Sequence, residues 1–312
     1  MSINATPKVN ILLSTYNGER FIVEQLDSLF HQTYFNIAIH IRDDGSTDST
    51  VGLINACSTK NKPVVLTSGN NIGVIPSFLR LLASSGSPGD LYAFCDQDDV
   101  WKPEKIARAV EQIMKRPEPD RVLYCTRLEY VDEHLKHLGY SLIPRYTGFS
   151  NAVVENIATG CTLVFGEKIR QLILDGAPCD MIMHDWWGYL AASVFGDVVY
   201  DDFPSIQYRQ HGNTFTAWEP GFTKLRTRAC EFMIRMKMRE HKGLDSLNQA
   251  IHFLEDCPDI PNDAKKVVDT LLSLREDGKT WQRVRYVMHP EVLRTDSFEN
   301  LALKAMILFG LH

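Results

Sequence analysis

The sequence lacks several features that would assign it to a particular class of protein. It has no apolar run that approaches the roughly 18 residues of a membrane span. The N-terminal residues MSINATPKVN contain no charged region followed by an apolar stretch, so we expect no signal peptide. The seven cysteines are scattered without a CxxC pair, which is typical of reduced thiols rather than of a disulfide framework or a zinc site. These absences predict a cytoplasmic protein.

A surplus of basic residues is also missing. The 33 lysines and arginines are outnumbered by 39 aspartates and glutamates, which gives a formal net charge of −6. A broad nucleic-acid surface needs a basic face, so we expect no nucleic-acid partner. Hydrophobic residues make up 44% and charged residues 23% of the 312 residues, a globular composition that excludes disordered, collagen-like and coiled-coil chains.

Short apolar runs alternate with segments of helical periodicity in the first part of the chain. This β-α-β-α-β-α-β-α order predicts an α/β fold with an open, mostly parallel sheet and helices on both faces. The predicted strands are Val9–Leu13, Ile37–Ile41, Val64–Leu66, Leu91–Cys95, Val122–Val131, Cys161–Phe165, Val198–Tyr200 and Ile206–Tyr208. Helices are expected at 22–30, after Ser46 or Asp48, at 72–82, at 103–113, at 184–195 and throughout the chain from Phe222 onward.

Polar side chains follow three of the predicted strands. Thr15–Asn17, Asp43–Asp44 and Asp96–Asp99 each stand where an apolar run ends. Ligands bind at the carboxyl ends of strands in open α/β sheets. Three polar segments at one sheet edge therefore predict a binding site there.

The acidic segment Asp96–Asp99 carries three carboxylates within four residues. Such carboxylates repel one another and are most easily held by a divalent cation or by several hydrogen-bond donors. Their hard oxygen ligands suit Mg²⁺ or Mn²⁺, which commonly bind substrate phosphates as well. A solvated acidic turn is the alternative interpretation.

Four motifs together give the sequence a family resemblance. Ser14–Gly18, Asp43–Asp48, Asn70–Gly73 and Asp96–Asp99 resemble, in order and spacing, the motifs of family 2 glycosyltransferases over roughly residues 8–215. These are inverting enzymes of the GT-A fold. The wording CDQDDVWxPxK, with the later HDWW and YRQHGN, is most similar to bacterial rhamnosyltransferases.

The resemblance implies a donor site for a nucleotide-diphosphate-sugar. Tyr16 would lie against the base, and either Asp43 or Asp44 would accept the imide N–H of uracil or thymine. Asp98 would bind the divalent metal, with His211 as a further metal or phosphate ligand. The residues expected to bind the nucleotide-sugar are Thr15, Tyr16, Asn17, Asp43, Asp44, Asn71, Asp96, Asp99 and Arg209. Trp101 is expected to pack in the core.

The resemblance also implies an acceptor side. Asp185 corresponds to the family's catalytic acid and would be the general base that an inverting transfer needs. His184 departs from the usual glutamate before that position. The residues expected on the acceptor side are Gly160, Cys161, His184, Trp186 and Trp187. Core packing is the alternative for both tryptophans.

The C-terminal part differs in character from the rest. Glu219-Pro220-Gly221 suggests a boundary between a catalytic domain at 1–220 and a helical region at 221–312. Residues 222–243 carry seven Lys and Arg against two Glu, a charge of +5 at helical apolar spacing. Such a helix binds an anionic membrane surface or packs on the core with a solvated face.

The expected reaction is inverting transfer of L-rhamnose from dTDP-β-L-rhamnose to a saccharide acceptor, free or lipid-linked. The expected process is synthesis of bacterial surface polysaccharide of the O-antigen or capsule type. A UDP-hexose or UDP-N-acetylhexosamine donor is the alternative within the fold. A sugar nucleotidyltransferase and a non-catalytic carbohydrate-binding module are the alternatives from other classes. Peripheral contact with the inner membrane and a homo-oligomeric state stay open.

Overall fold

The computed structural model describes residues 6–59, 63–87, 90–176, 181–212, 245–256, 260–276 and 278–310. These residues belong to two compact units. The first comprises the described residues up to 141, 158–176 and 183–212, and the second comprises 142–157, 181–182 and 245–310. The predicted domain boundary at 220/221 and the basic segment 222–243 lie outside the described residues and stay predictions.

A nine-stranded sheet forms the centre of the first unit. Its strands are β1 (Val9–Thr15), β2 (Ile37–Asp43), β3 (Val64–Ser68), β4 (Leu91–Cys95), β5 (Val100–Trp101), β6 (Val122–Val131), β7 (His137–Tyr140), β8 (Val164–Gly166) and β9 (Asp197–Arg209). The helices are α1 (Ile22–Phe30), α2 (Thr50–Cys57), α3 (Val74–Ser84), α4 (Lys105–Met114), α6 (Glu167–Gly176) and α7 (His184–Phe195). The strand order is β3-β2-β1-β4-β8-β6-β9-β5, with β7 paired to β6. Parallel ladders carry most of the paired residues, which confirms the predicted α/β class.

The four N-terminal strands are parallel, so their carboxyl ends meet at one edge of the sheet. The register sets Thr15 opposite Asp43, and Leu13 opposite Cys95. Almost every side chain of β1 and β4 is buried, as expected for strands with helices on both faces. The polar segments after β1, β2 and β4 therefore emerge side by side.

The second half of the sheet is mixed. Strand β8 pairs antiparallel with both β4 and β6 and so joins the two halves. Strand β9 runs parallel to β6 as one long strand, where two shorter strands were predicted, and register shifts near Arg127 absorb its extra residues. The predicted strand at Cys161–Phe165 was wrong at its start, because Gly160–Thr162 forms a 3₁₀ turn before β8.

The second unit is helical in its described part. Its helices are α5 (Phe149–Ala152), α8 (Asp245–Asp256), α9 (Asn262–Glu276), α10 (Thr280–Met288) and α11 (Ser297–Phe309). Asp296 caps α11 by accepting the N–H groups of Phe298 at 2.8 Å and Glu299 at 3.1 Å. No helix within the described ranges is both long enough and apolar enough to cross a membrane.

Candidate active site

The Asp43 carboxylate is buried at the end of β2 and held by four hydrogen bonds. Thr15 Oγ1 donates to it at 3.1 Å and Ser46 Oγ at 2.5 Å. The backbone N–H groups of Gly45 and Ser46 donate at 3.2 and 3.0 Å. Two of the four donors are hydroxyls that can rotate toward another acceptor, so this carboxylate can exchange partners without breaking a backbone contact.

Asp44 has a different environment, although it is equally buried. Arg42 Nη1 donates to its carboxylate, as do the backbone N–H groups of Ile72 and Gly73 at 2.9 and 2.8 Å. Burial raises the pKa of Asp44, but these donors outweigh it and hold the pKa below its usual range. Asp44 therefore ties β2 to the segment before α3. Asn71 in that segment is exposed, and its Oδ1 accepts the Gly73 N–H at 3.2 Å.

The loop after β1 is joined to the acidic loop, Asp96–Asp99, by the side-chain amide of Gln97. The Tyr16 N–H donates to Gln97 Oε1 at 2.9 Å, and Gln97 Nε2 donates to the Tyr16 carbonyl at 3.1 Å. A Cβ added at Gly18 would lie 2.3 Å from that amide oxygen. Asn17 has a positive φ of 46°, and its Oδ1 accepts the Thr47 N–H at 2.9 Å. The Tyr16 side chain is 46% exposed, which leaves its ring available for stacking.

The acidic loop brings two carboxylates and a thiol together. Ligand atoms of Asp96, Asp99 and Cys161 all lie within 4.8 Å of one another. Desolvation, with the carboxylates of Asp98 and Asp185, raises the pKa of Asp96 to about 7. Desolvation and the carboxylates of Asp98 and Asp96 raise the pKa of Asp99 well above its usual value. A cation would relieve this repulsion, and the donor set is dominated by the oxygen ligands that Mg²⁺ and Mn²⁺ prefer.

Asp98 contacts residues of β9 and its continuation. Its Oδ2 lies 2.6 Å from His211 Nε2, so the structure brings together the two residues predicted as metal ligands. The Arg209 guanidinium is buried, with Nε donating to the Asp98 carbonyl at 2.7 Å and Nη2 to Glu24 Oε2 at 2.6 Å. The Arg209 backbone N–H donates to Asp99 Oδ1 at 3.1 Å. Arg209 thus braces the acidic loop, and its predicted contact with the diphosphate gains no support from this position.

Asp185 lies in the first turn of α7 and is buried. Its Oδ2 accepts the Gly160 N–H at 2.7 Å, and its Oδ1 accepts the Trp186 N–H at 2.6 Å. Its charge raises the pKa of Asp96, so the two carboxylates are electrostatic neighbours. The 3₁₀ turn that donates to Asp185 also carries Cys161 beside the acidic loop. The predicted base and the predicted donor site therefore meet in one place.

The aromatic residues near Asp185 differ in exposure. His184 is buried, stacked on Phe78 at a centroid distance of 4.5 Å and edge-on to Phe94 at 4.6 Å. Burial lowers the pKa of His184 to about 3, so the ring is neutral. Trp187 is fully buried in the core, whereas Trp186 is partly exposed. Trp186 is thus the one acceptor-side side chain among the five predicted that solvent reaches, and the expected core position of Trp101 is confirmed.

Sequence reasoning missed three residues that build the site. Gln97 joins two loops, Ser46 supplies two donors to Asp43, and Lys105 lies fully buried behind the acidic loop. Only Lys105 left a signal, because this lysine, two residues after Pro103, stands on the inward face of a helix whose other inward positions are apolar.

Comparison with known proteins identifies the family. The sequence profile of Glycosyl transferase family 2 matches residues 10–165, which span β1 to β8 and include the acidic loop. The chain belongs to glycosyltransferase family 2. The dTDP-rhamnosyl transferase RfbG of Shigella flexneri is 30% identical to this glycosyltransferase over 213 residues, 64% of this chain and 72% of the relative. An uncharacterized glycosyltransferase of Rickettsia typhi is 27% identical over 78% of this chain and 79% of its own length.

Solved structures of low sequence identity share the fold of this glycosyltransferase. The mannosyltransferase PcManGT from Pyrobaculum calidifontis, in complex with GDP-Man and Mn²⁺, gives a TM-score of 0.54 at 16% identity, covering 97% of this chain and 80% of its own. Residues 1–349 of S. aureus TarS, in complex with UDP-GlcNAc, give a TM-score of 0.56 at 13% identity, covering 97% and 90%. The GT-A fold predicted from the motifs is confirmed.

Proposed function

We propose that this family 2 enzyme transfers a sugar from a nucleotide-diphosphate donor to a saccharide acceptor with inversion, and that Asp185 is the general base. The observation that carries the proposal is the position of Asp185. Its carboxylate is fixed by two backbone N–H groups and lies near Asp96 of the acidic loop. A base beside the loop that receives the donor diphosphate is the arrangement that a single displacement needs.

In this mechanism Asp185 accepts the proton of the acceptor hydroxyl as the hydroxyl oxygen attacks the anomeric carbon. The bond from that carbon to the donor diphosphate breaks on the opposite side, so the configuration inverts. The backbone N–H groups that donate to its two oxygens hold the carboxylate in place for this proton transfer. Trp186, partly exposed next to it, offers an apolar face for an acceptor sugar ring.

The acidic loop fits a divalent metal, Mg²⁺ or Mn²⁺, because its crowded carboxylates have raised pKa values and offer hard oxygen ligands. We propose Asp98 as the metal ligand, with His211 beside it, and Asp96 and Asp99 as nearby carboxylates. The bound cation supplies stabilisation of the negative charge on the leaving diphosphate. PcManGT was solved in complex with GDP-Man and Mn²⁺, which supports metal dependence in this chain.

For the nucleotide, we propose that Asp43 reads the pyrimidine. The Asp44 carboxylate accepts from the Arg42 guanidinium and from two backbone N–H groups, which fix it in place. Two of the donors to Asp43 are instead the rotatable hydroxyls of Thr15 and Ser46. Tyr16 would stack on the base, with Thr15, Asn17 and Asn71 around it. The likeness to dTDP-rhamnosyl transferase RfbG supports dTDP-β-L-rhamnose as the donor. UDP-hexose and UDP-N-acetylhexosamine remain the alternatives, and TarS was solved with UDP-GlcNAc.

We further propose a role in bacterial surface polysaccharide synthesis with a saccharide or lipid-linked saccharide acceptor. Contact with an anionic membrane would bring such an acceptor to the site. Two features support this contact: the +5 charge of residues 222–243 and the exposed apolar side chains of α10. A sugar nucleotidyltransferase is disfavoured, because it would need a glycine-rich phosphate loop with a basic residue, whereas β1 ends in Ser14-Thr15 and is followed by Tyr16-Asn17-Gly18.

A panel of nucleotide-sugars tests the proposal. We expect dTDP-rhamnose with Mg²⁺ or Mn²⁺ to raise the unfolding temperature and to be slowly hydrolysed, and other donors to do so less. Protection by a UDP-sugar alone would overturn the rhamnose donor but keep the transferase. Absence of hydrolysis and of protection with every donor would overturn the transferase itself, and formation of a nucleotide-sugar from nucleoside triphosphate and sugar phosphate would establish the alternative class.

A further inference from the structure

Lys105, the first residue of α4, is a cation in the interior of the protein. Its side chain is 0% exposed, and its Nζ donates to the Thr162 carbonyl at 3.2 Å. The same ammonium lies 4.6 Å from the centroid of the Trp101 ring. Burying an ammonium costs free energy unless nearby groups compensate its charge. The surroundings of Lys105 must therefore account for its buried position.

The compensation comes from the catalytic side of the fold. The thiols of Cys161, Cys95 and Cys125 lie near the Lys105 ammonium, and burial raises their pKa values, so they are neutral. Asp99 is the carboxylate that interacts with it. Burial lowers the pKa of Lys105 to about 8, while these groups act in the opposite direction. The crowded carboxylates of the acidic loop thus have a buried positive charge behind them.

The hydrogen bond to Thr162 connects this charge to the base. Thr162 closes the 3₁₀ turn Gly160–Thr162, its N–H donating to the Thr159 carbonyl at 2.8 Å. The N–H of Gly160 at the other end of the turn donates to Asp185. Lys105 therefore bonds to the turn that holds the base and interacts with the loop that faces the donor.

We propose that Lys105 is a positioning residue that fixes the Gly160–Thr162 turn, and with it the Asp185 carboxylate, relative to the acidic loop. This inference rests on the proposed function only for its effect on catalysis, since the effect on the turn is independent of any substrate. Removing the ammonium would release the Thr162 carbonyl and let the turn move. A shift of about 1 Å at a catalytic group costs up to about a hundredfold in rate.

The direct test is the reactivity of Cys161, a fully buried thiol in the middle of the turn. Iodoacetamide labelling of Lys105→Met, quantified for each cysteine peptide by mass spectrometry, reports on opening of the turn. We expect Cys161 to label at least about tenfold faster than in the wild type, because local opening exposes it. Cys125 on β6 is equally buried and also interacts electrostatically with Lys105, but it does not belong to the turn. It is expected to stay unlabelled, since the sheet stays intact.

Lys102→Met is the matched control. Lys102 lies on the same segment, and its Nζ pairs with Glu129 at 2.8 Å and not with Thr162, so its loss should leave Cys161 protected. Should Lys105→Met fail to fold, Lys105→Gln serves in its place. Equal acceleration at Cys161 and Cys125 would overturn the positioning role in favour of general loosening, and unchanged Cys161 labelling would overturn it outright.

A kinetic measurement then links the turn to catalysis. In Lys105→Met we expect kcat to fall about 10- to 100-fold with the affinity for the nucleotide product unchanged, because the base and not the nucleotide is misplaced. A loss of nucleotide affinity with unchanged kcat would overturn the proposal. A wild-type chain without transferase activity would contradict the proposed function, yet the labelling result would still decide the role of Lys105 in the turn.

Discussion

Both oxygens of the Asp185 carboxylate accept a backbone N–H, Oδ2 from Gly160 and Oδ1 from Trp186. Replacing it with Asn preserves the shape but removes the basic oxygen. We expect nucleotide affinity to be retained and turnover to fall about 10²- to 10⁴-fold. Steady-state kinetics together with calorimetry of nucleotide binding measure both. Asp197→Asn, at an exposed ion pair, is the control, and near-normal turnover in Asp185→Asn would exclude the base assignment.

Asp98 gives a second prediction for a single residue. If it binds the metal that meets the diphosphate, then Asp98→Ala and metal removal by EDTA should each lower the affinity for dTDP or UDP at least about tenfold. Titration calorimetry with and without added Mn²⁺ measures this. Asp27→Ala, at an exposed carboxylate of α1, should behave as the wild type. Equal nucleotide affinities of the wild type and Asp98→Ala, each measured with and without Mn²⁺, would contradict a metal role for Asp98.

His184 should make the protein sensitive to acid. Its folded pKa is about 3 against 6.5 in the unfolded chain, so between these values only the unfolded state binds the proton. The free energy of unfolding must therefore rise with pH in this window and fall on acidification, by about 2 kcal/mol from about pH 7.5 to about pH 5. In His184→Phe, which keeps the stack on Phe78, urea unfolding should lose this part of the pH dependence.

The exposed His134 provides the comparison for that measurement. His134→Phe should show the full wild-type dependence on pH, because this substitution leaves the buried His184 in place. The same slope in His184→Phe and in the wild type would show that another group is responsible.

Single residues were predicted unevenly from the sequence. Aspartates after strands could be predicted, because the sheet edge collects whatever follows parallel strands. The different hydrogen-bond partners of Asp43 and Asp44 could not be predicted. They depend on Arg42 and on backbone N–H groups of the segment before α3. Arg209 shows the same limit: the resemblance implied a contact with the nucleotide-sugar, but its burial against Glu24 depends on tertiary packing.

At the scale of elements, the ion pair of Arg42 and Asp44 fastens β2 to the segment before α3. Asp44→Asn leaves the buried Arg42 without its partner charge and weakens the bonds from Ile72 and Gly73. Breaking a buried pair on one side costs about 3–5 kcal/mol. We expect a loss of that size in urea unfolding at neutral pH. Asp48→Asn, a polar substitution in the following loop, should cost far less, and a comparable loss there would contradict a special role for the pair.

The elements that could be predicted are those with an uninterrupted period. Strands β4 and β6 and helix α7 have the predicted bounds, because each is an uninterrupted apolar or amphipathic segment between clear breaks. Helix α3 begins two residues late, since Gly73 has a φ of +88° and cannot be part of it. Helix α6 was not predicted, and strand β5 is too short to give a pattern.

At the scale of the whole molecule, helix α10 gives a prediction about membranes. Trp281, Val284 and Met288 lie on one face and are 60%, 47% and 69% exposed, with Arg285 exposed between them. Apolar and basic side chains in this arrangement bind anionic lipid surfaces. We expect the chain to sediment with vesicles containing phosphatidylglycerol, and the double variant Trp281→Ser, Met288→Ser to bind about tenfold more weakly.

Two comparisons keep that measurement interpretable. Phe35→Ser removes an apolar side chain that is 84% exposed in the first unit and should leave vesicle binding unchanged. Equal binding to neutral vesicles would contradict the charge component. Concentration-dependent association of the wild type in solution, lost in the double variant, would instead assign this face to contact between copies.

The pairing of Gln97 with the Tyr16 backbone also constrains how related sequences can vary. Because the amide occupies the space where a side chain at position 18 would begin, a residue larger than glycine there requires the Gln97 amide to move and to give up its two hydrogen bonds with Tyr16, or a shorter residue at 97. Gln97 of the acidic loop is thus coupled to Gly18 in the loop after β1, which is distant in the sequence. Library selection at positions 18 and 97 should recover the two changes together, and grafting this acidic loop onto another scaffold should require its glycine as well.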